Sequence, residues 1–192
     1  EVSIYFAGRL WRGNRAQKVH NDDYLAFDSG NYPPLARVGV SIDLATQSIR
    51  PAGPGVPKSI ELPETPNVVA LRLFPGLSPE LLGRVLLDAD GLVLETYGAG
   101  NAPTRDPRFA ACLSRAIERG VVVVNCSQCH GGAVRQNLYS TGAKLAAAGV
   151  VSGHDMTAEA ALTKLYCLLG AGHSVERVRA DVCRNLVGEL TE

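Results

Sequence analysis

From Val68 onward, short aliphatic runs alternate with helix-length stretches, and this alternation leaves few architectures open to the second half of the chain. Residues 68–74 read as a strand, and Ser78-Pro79-Glu80 then offers an N-cap, a first-turn proline and an early acid for a helix to about Asp88. Residues 91–97 form a second strand, followed by a Gly98-Ala99-Gly100-Asn101-Ala102-Pro103 loop. A helix over 108–119 stops at Gly120, and the valine run 121–124 with Asn125 is continuous enough to be buried on both faces. A helix over 138–148, a short strand at Val150-Val151, a helix capped by Thr157 through Leu169 and another capped by Ser174 through about Asn185 complete the series. Strands of this length separated by such helices make βαβ units, a parallel sheet and helices on both faces. The fold class is therefore α/β, flavodoxin-like in texture. Ligands in such sheets meet the loops at the carboxyl ends of the strands, here Pro75-Gly76, residues 98–103 and residues 126–132.

The first part of the chain is less regular. Residues 1–45 hold an apolar strand from Val2, a basic polar segment and a second apolar run over 35–44. Residues 46–67, punctuated by Pro51, Pro54, Pro57, Pro63 and Pro66, read as a linker. The chain opens at Glu1 straight into a strand, and its only methionine is Met156, which suggests an edge cut from a longer protein.

Charge narrows the partners. Lys+Arg and Asp+Glu both total 19, which argues against a nucleic-acid or anionic-membrane surface. No apolar run approaches the length needed to span a bilayer. Cys112, Cys167 and Cys183 fall in helix-like stretches as small buried hydrophobes, so a reducing, cytoplasmic setting is expected.

The chemistry-bearing motifs are best read beside their plain alternatives. Cys126-Ser127-Gln128-Cys129-His130 matches the C-x-x-C-H pattern of covalent haem attachment, but it follows a buried strand of an α/β sheet, so no haem is expected. No second ligand pair accompanies it, so no metal site is expected either, while a redox dithiol remains open. The 98–103 loop lacks a third glycine, and Pro103 removes a donor that a phosphate would need. Asn101 in that loop is either a turn residue or an amide offered to a polar ligand. Asp155-Met156-Thr157-Ala158-Glu159 reads as helix capping with an acid near the positive dipole end, and the four histidines as exposed or capping groups. The segment Arg12-Gly13-Asn14-Arg15-Ala16-Gln17-Lys18 is a solvated loop or a functional one. If Lys18 were buried its pKa would fall, and it could act as a base.

Several segments taken in order resemble one family. Arg9-Leu10-Trp11-Arg12-Gly13-Asn14-Arg15 through Lys18, and then Asn31-Tyr32-Pro33-Pro34-Leu35, are similar to the middle of type I (cytoplasmic-type) L-asparaginases. Tyr97 to Pro103, Asn125 to Cys129, Gly153 to Thr157, Ala161 to Leu165 and Gly188 to Thr191 follow in family order. The resemblance implies a two-domain α/β enzyme without a cofactor that hydrolyses L-asparagine to L-aspartate and ammonia. Residues 1–45 would be the tail of its larger α/β domain, 46–67 the linker and 68–192 its smaller parallel-sheet domain. It implies a threonine nucleophile and places Lys18 on the family's catalytic lysine, in the R-G-N-R-x-x-K segment. It also implies a homodimer or homotetramer in which the smaller domain of one subunit touches substrate in the other, through the loop that carries Asn101.

The departures matter as much. The family's nucleophile motifs, T-G-G-T and G-T-D-T, do not occur between Glu1 and Glu192, so the chain by itself is expected to be inactive. Bacterial members also bind asparagine at an effector site near the lysine segment. Cys129 matches a cysteine of that site, whereas Gln17 and Glu95 stand where those enzymes have a threonine and an arginine. Glu95 would repel a carboxylate, so weak or absent effector binding is expected. The alternative to catalysis is a stand-alone amino-acid-binding or interaction module of the same fold. A third reading is a related amidohydrolase, since mammalian relatives are also described as lysophospholipases. Exposed apolar strand edges are expected to make the isolated chain self-associate, and a clean monomer in the ultracentrifuge would count against that.

Overall fold

A computed structural model describes residues 1–53 and 61–191. Strands β1 (Ser3–Phe6) and β2 (Arg9–Arg12) pair antiparallel, turning at Ala7-Gly8, and a single 3-10 turn, Gly13–Arg15, leads to the two-residue strand β3 (Gln17–Lys18). Among the described residues β3 pairs only with β4 (Phe27–Asp28), forming a small antiparallel ribbon. β5 (Ala36–Val38) and β6 (Ile42–Leu44) complete a four-stranded sheet in the order β1-β2-β5-β6. The apolar run expected over 35–44 is thus a hairpin bent at Gly39, whose N–H bonds to Ser41 O at 2.9 Å. Along this sheet Tyr5, Val38, Val40, Ile42 and Leu44 are exposed, which is the apolar surface that the self-association expectation rests on.

Of the linker expected over 46–67, residues 54–60 lie outside the described residues. Its end is fastened: Glu64 N–H bonds to Gly170 O at 3.1 Å.

The parallel sheet follows. It comprises β7 (Val68–Arg72), β8 (Gly91–Thr96), β9 (Val122–Ser127) and β10 (Val151–Ser152), lying side by side in chain order. The crossovers are α1 (Pro79–Val85), α2 (Pro107–Glu118) and α3 (Ser140–Ala147); α4 (Ala158–Gly170) and α5 (Val175–Val182) come after the last strand. Successive strand residues face opposite ways, so each face acquires its own core. Leu92, Leu94 and Val123 meet Leu82 and Leu86, Phe109 and Leu113 of α2, and Leu145 of α3. Val93, Val122, Val124 and Cys126 meet Ala161 and Leu165 of α4 and Val178 and Val182 of α5. Full burial of each such aliphatic side chain stabilises the fold by about 1.5–3 kcal/mol. Helices cover both faces, as the alternation predicts.

The helix starts are where the capping residues place them. Ser78 Oγ accepts from Leu81 N, Thr157 Oγ1 from Ala160 N and Ser174 Oγ from Arg177 N. One end differs: α5 stops at Val182, short of Asn185. The Asn185 side chain accepts from Gly188 N at 2.7 Å, and the Glu189 carboxylate accepts from Leu186 N at 3.0 Å and Val187 N at 2.7 Å. Side chains have taken backbone donors that another helical turn would need. Glu189 is buried and pairs with Lys164 at 2.5 Å. Burial pushes its pKa up, but Lys164 and these backbone N–H groups outweigh that and lower it.

Candidate functional site

The first 50 residues are held against the parallel-sheet unit by a buried polar seam. Arg15, 2% exposed, bonds through Nη1 to Asp155 Oδ2 at 2.9 Å, through Nε to Gly188 O at 2.8 Å and through Nη2 to Thr191 Oγ1 at 3.0 Å. Arg12 Nη1 reaches the same Gly188 carbonyl at 3.2 Å, and both guanidinium groups lie over the Tyr32 ring. Asp155 accepts in turn from the N–H and hydroxyl of Thr191, each at 2.7 Å. Asp155 therefore works as a strut between the two ends of the chain, while Thr157 alone caps α4. Asn31 adds a second fastening: its Oδ1 accepts from Gly132 N at 2.7 Å and its Nδ2 donates to Gly132 O at 2.9 Å. The backbones touch here, since a Cβ on Gly30 would stand 1.9 Å from His130 O.

These fastenings carry the β3–β4 ribbon over the carboxyl ends of the parallel strands and close a cleft of about 510 Å³. Gln17, Lys18, Glu95 and Cys129, four of the five residues singled out in the sequence, line it together with Asp28, Arg72 and His130. Asn101 is not among the lining residues; its backbone bridges back to Tyr97 across the 98–103 loop. Lys18 is exposed on β3, and among the described residues its side chain makes no hydrogen bond. Gln17 beside it is held at both ends, donating through Nε2 to Glu159 at 2.9 Å and facing His130 Nδ1 through Oε1 at 3.1 Å. The other ring nitrogen of His130 lies 2.9 Å from Asp28, whose pKa that contact lowers. Glu95 faces Arg72 at 3.8 Å, the residue in register with it on the adjacent strand.

The C-x-x-C-H residues divide between inside and outside. Cys126 is fully buried in one sheet core, and desolvation pushes its thiol up to about 12. That is the opposite of the lowered value an active dithiol needs. Cys129 is exposed, Gln128 Nε2 ties the loop to Leu73 O and Glu95 O, and His130 belongs to the ribbon contact. Among the described residues no three His, Cys, Asp or Glu side chains converge as metal ligands, and no helix is long and apolar enough to cross a membrane.

The glycine loop is a closed turn. Tyr97 and Asn101 exchange backbone bonds at 2.9 Å in both directions. Gly100 takes φ +108°, and a Cβ there would lie 2.8 Å from Val134, so only glycine suits the position. Beneath it, buried Asn125 accepts from Thr96 Oγ1 at 2.6 Å and donates to Gly100 O at 3.3 Å. Thr96, Arg72, Asp28 and Thr141 carry no motif that marks them in the sequence. Strand register would have revealed Arg72 opposite Glu95, and no local pattern marks the others.

Residues 67–180 match the family model described as Glutaminase/Asparaginase C-terminal domain, and residues 1–50 match that of Asparaginase, N-terminal. The chain is 42% identical over 193 residues to L-asparaginase 1 of Escherichia coli, an alignment covering 100% of this chain and 56% of that protein. It is 43% identical over 198 residues to the 60 kDa lysophospholipase of Homo sapiens, covering 100% of this chain and 33% of the other. The solved L-asparaginase I of Vibrio cholerae superposes with a TM-score of 0.89 at 41% identity, covering 100% of this chain and 57% of that one. The chain thus spans a little over half the length of these two asparaginases.

Proposed function

The chain belongs to the asparaginase and glutaminase family, and on that footing we propose that it is the lysine-bearing part of an enzyme that hydrolyses L-asparagine to L-aspartate and ammonia. The observation that carries this reading is the position of Lys18, on a ribbon that Arg15, Asn31 and His130 hold over the strand ends, with its side chain uncommitted. In this reading a threonine hydroxyl attacks the side-chain amide carbonyl of asparagine while Lys18 accepts the hydroxyl proton. Backbone donors stabilise the developing oxyanion, and the amide nitrogen leaves, protonated, as ammonia. Water then cleaves the acyl-enzyme ester, releasing aspartate and restoring the threonine. Asn101 would contact substrate bound in a neighbouring subunit of a homodimer or homotetramer. Residues 1–45, 46–67 and 68–192 would be the end of the larger domain, the linker and the smaller domain. Five free cysteines support a cytoplasmic location.

The test is ammonia release by the gene product that carries this chain together with its T-G-G-T and G-T-D-T segments, using L-asparagine, L-glutamine and a lysophospholipid as substrates. Release from asparagine that disappears in a Lys18→Met variant supports the proposal. Binding of amino acid without turnover would favour a binding module, and turnover of the lysophospholipid alone would move the chain to the lysophospholipase side of its relatives.

We further propose that the cleft around Lys18 is not an asparagine effector site. Glu95 brings a negative charge to its wall, Arg72 answers that charge, and the Gln17 amide is already engaged by Glu159 and His130. A carboxylate ligand would meet the repulsion of Glu95, whose charge already competes for the Arg72 guanidinium. Initial rates against asparagine are therefore expected to follow a hyperbola, and a clearly sigmoidal curve would refute this.

A further inference from the structure

We propose that Thr141 is a positioning residue: it fixes the side-chain amide of Asn101 so that Nδ2 faces outward as a donor to an acceptor oxygen of the substrate. This deepens, and rests on, the reading that Asn101 contacts an amino-acid substrate.

The loop that carries Asn101 has little freedom. Gly98 O accepts from Ser127 Oγ at 2.7 Å, Ala99 O from Arg135 N at 2.8 Å and Gly100 O from Asn125 Nδ2 at 3.3 Å. Tyr97 O accepts from Asn101 N and Asn101 O from Tyr97 N, so every carbonyl from 97 to 101 is engaged. A backbone held in this way leaves one variable at Asn101, the direction of its amide. An asparagine amide offers an acceptor at one end and donors at the other, and a half-turn exchanges them. Thr141, in the first turn of α3, engages one end of it: its hydroxyl donates to Asn101 Oδ1 at 2.5 Å. With Oδ1 taken, Nδ2 has no protein acceptor among the described residues. It is the end left for a ligand.

Thr141 is itself well anchored. A Cβ on the next residue, Gly142, would stand 2.5 Å from Gln136 O, so the start of α3 lies directly against the preceding backbone. Lys144 Nζ reaches Thr104 O at 3.4 Å, tying the same helix to the end of the Asn101 loop. Helix and loop are thus joined at two points, and the Thr141–Asn101 bond is the one that touches the amide.

The experiment uses the complete gene product and steady-state ammonia release from asparagine. Thr141→Val keeps the shape and removes the hydroxyl; it is expected to raise KM about 3–10-fold, the range for losing one hydrogen bond, with kcat little changed. Thr141→Ser is expected to restore KM. Asn101→Asp keeps an acceptor for Thr141 but loses the outward donor, so its KM is expected to rise as far as that of Asn101→Ala. In an Asn101→Ala background, Thr141→Val is expected to add nothing, which a merely structural role would not produce. The proposal is overturned if Asn101→Ala raises KM while Thr141→Val does not, or if Asn101→Asp leaves KM unchanged; the second result decides even if the valine variant fails to fold. An unchanged KM for Asn101→Ala would instead overturn the substrate-contact reading, and this proposal with it.

Discussion

Replacing Arg15 with methionine is expected to lower the unfolding free energy by about 3–5 kcal/mol, the cost of breaking a buried ion pair from one side. The size follows from what would be stranded. Asp155, 11% exposed, would keep its charge without the guanidinium 2.9 Å away, and the Gly188 carbonyl and Thr191 hydroxyl would each lose a donor. Arg15→Lys is expected to recover part of this, because an ammonium can meet Asp155 but cannot span all three acceptors. The exposed Arg108–Glu80 pair makes a useful contrast, since Arg108→Ala is expected to leave stability almost unchanged despite the same 2.9 Å separation. Urea denaturation of the three variants beside the parent chain checks this, and a near-zero effect for Arg15→Met would refute it.

Acid adds an independent readout. Burial pushes the Asp155 pKa up, but hydrogen bonds from Thr191 and the charge of Arg15 outweigh it, so the folded value lies below the ordinary 3.8. The ionised group therefore contributes stability above that ordinary value and loses it as pH falls through the lower folded one. In Arg15→Met one of the lowering influences is gone and burial is less opposed, so the variant has less of this stability to lose. The gap between parent and variant should narrow below about pH 4, while a gap that widens would show that Asp155 is not the partner that matters.

The parts of the fold visible in the sequence are those set by neighbours a few residues away. Ser78, Thr157 and Ser174 cap their helices because a side-chain oxygen needs only an N–H three residues on. The valine run of β9 is buried because a continuous aliphatic strand has no solvent-compatible face. Asp155 is legible only in part: its local setting fits a helix-start acid, while its partner Arg15 lies 140 residues away. Glu95 likewise shows a charge in the sequence, but its answer, Arg72, depends on strand register. The C-x-x-C-H motif separates because Cys126 is on the strand and faces a core, whereas Cys129 and His130 lie beyond the strand end. Lys18 is a further case, because its suggested role came from resemblance to a family, and the geometry supplies its surroundings.

Those surroundings make Lys18→Met and Lys18→Arg, in the complete gene product, the decisive pair for catalysis. Lys18→Met is expected to reduce kcat by about 10²–10⁴-fold, the range for loss of a positioned general base. In the chain by itself the same change should barely move stability, because the side chain is exposed and makes no hydrogen bond among the described residues. Lys18→Arg separates two roles that methionine removes together. A guanidinium keeps the positive charge but does not give up its proton near neutral pH, so it can attract an anion yet cannot accept the threonine proton. If Lys18 is the base, arginine should be as damaging as methionine. If it only supplies charge, arginine should retain most of the activity, and the base assignment would then be wrong. The exposure of Lys18 sharpens the comparison. A lysine becomes an effective base when desolvation lowers its proton affinity, and nothing in residues 1–53 or 61–191 covers this one. In the proposed reading, whatever packs against the β3–β4 ribbon would supply that cover together with the threonine. Base strength and nucleophile would then arrive on the same surface, so activity should depend on joining the two parts rather than on any further change within this one.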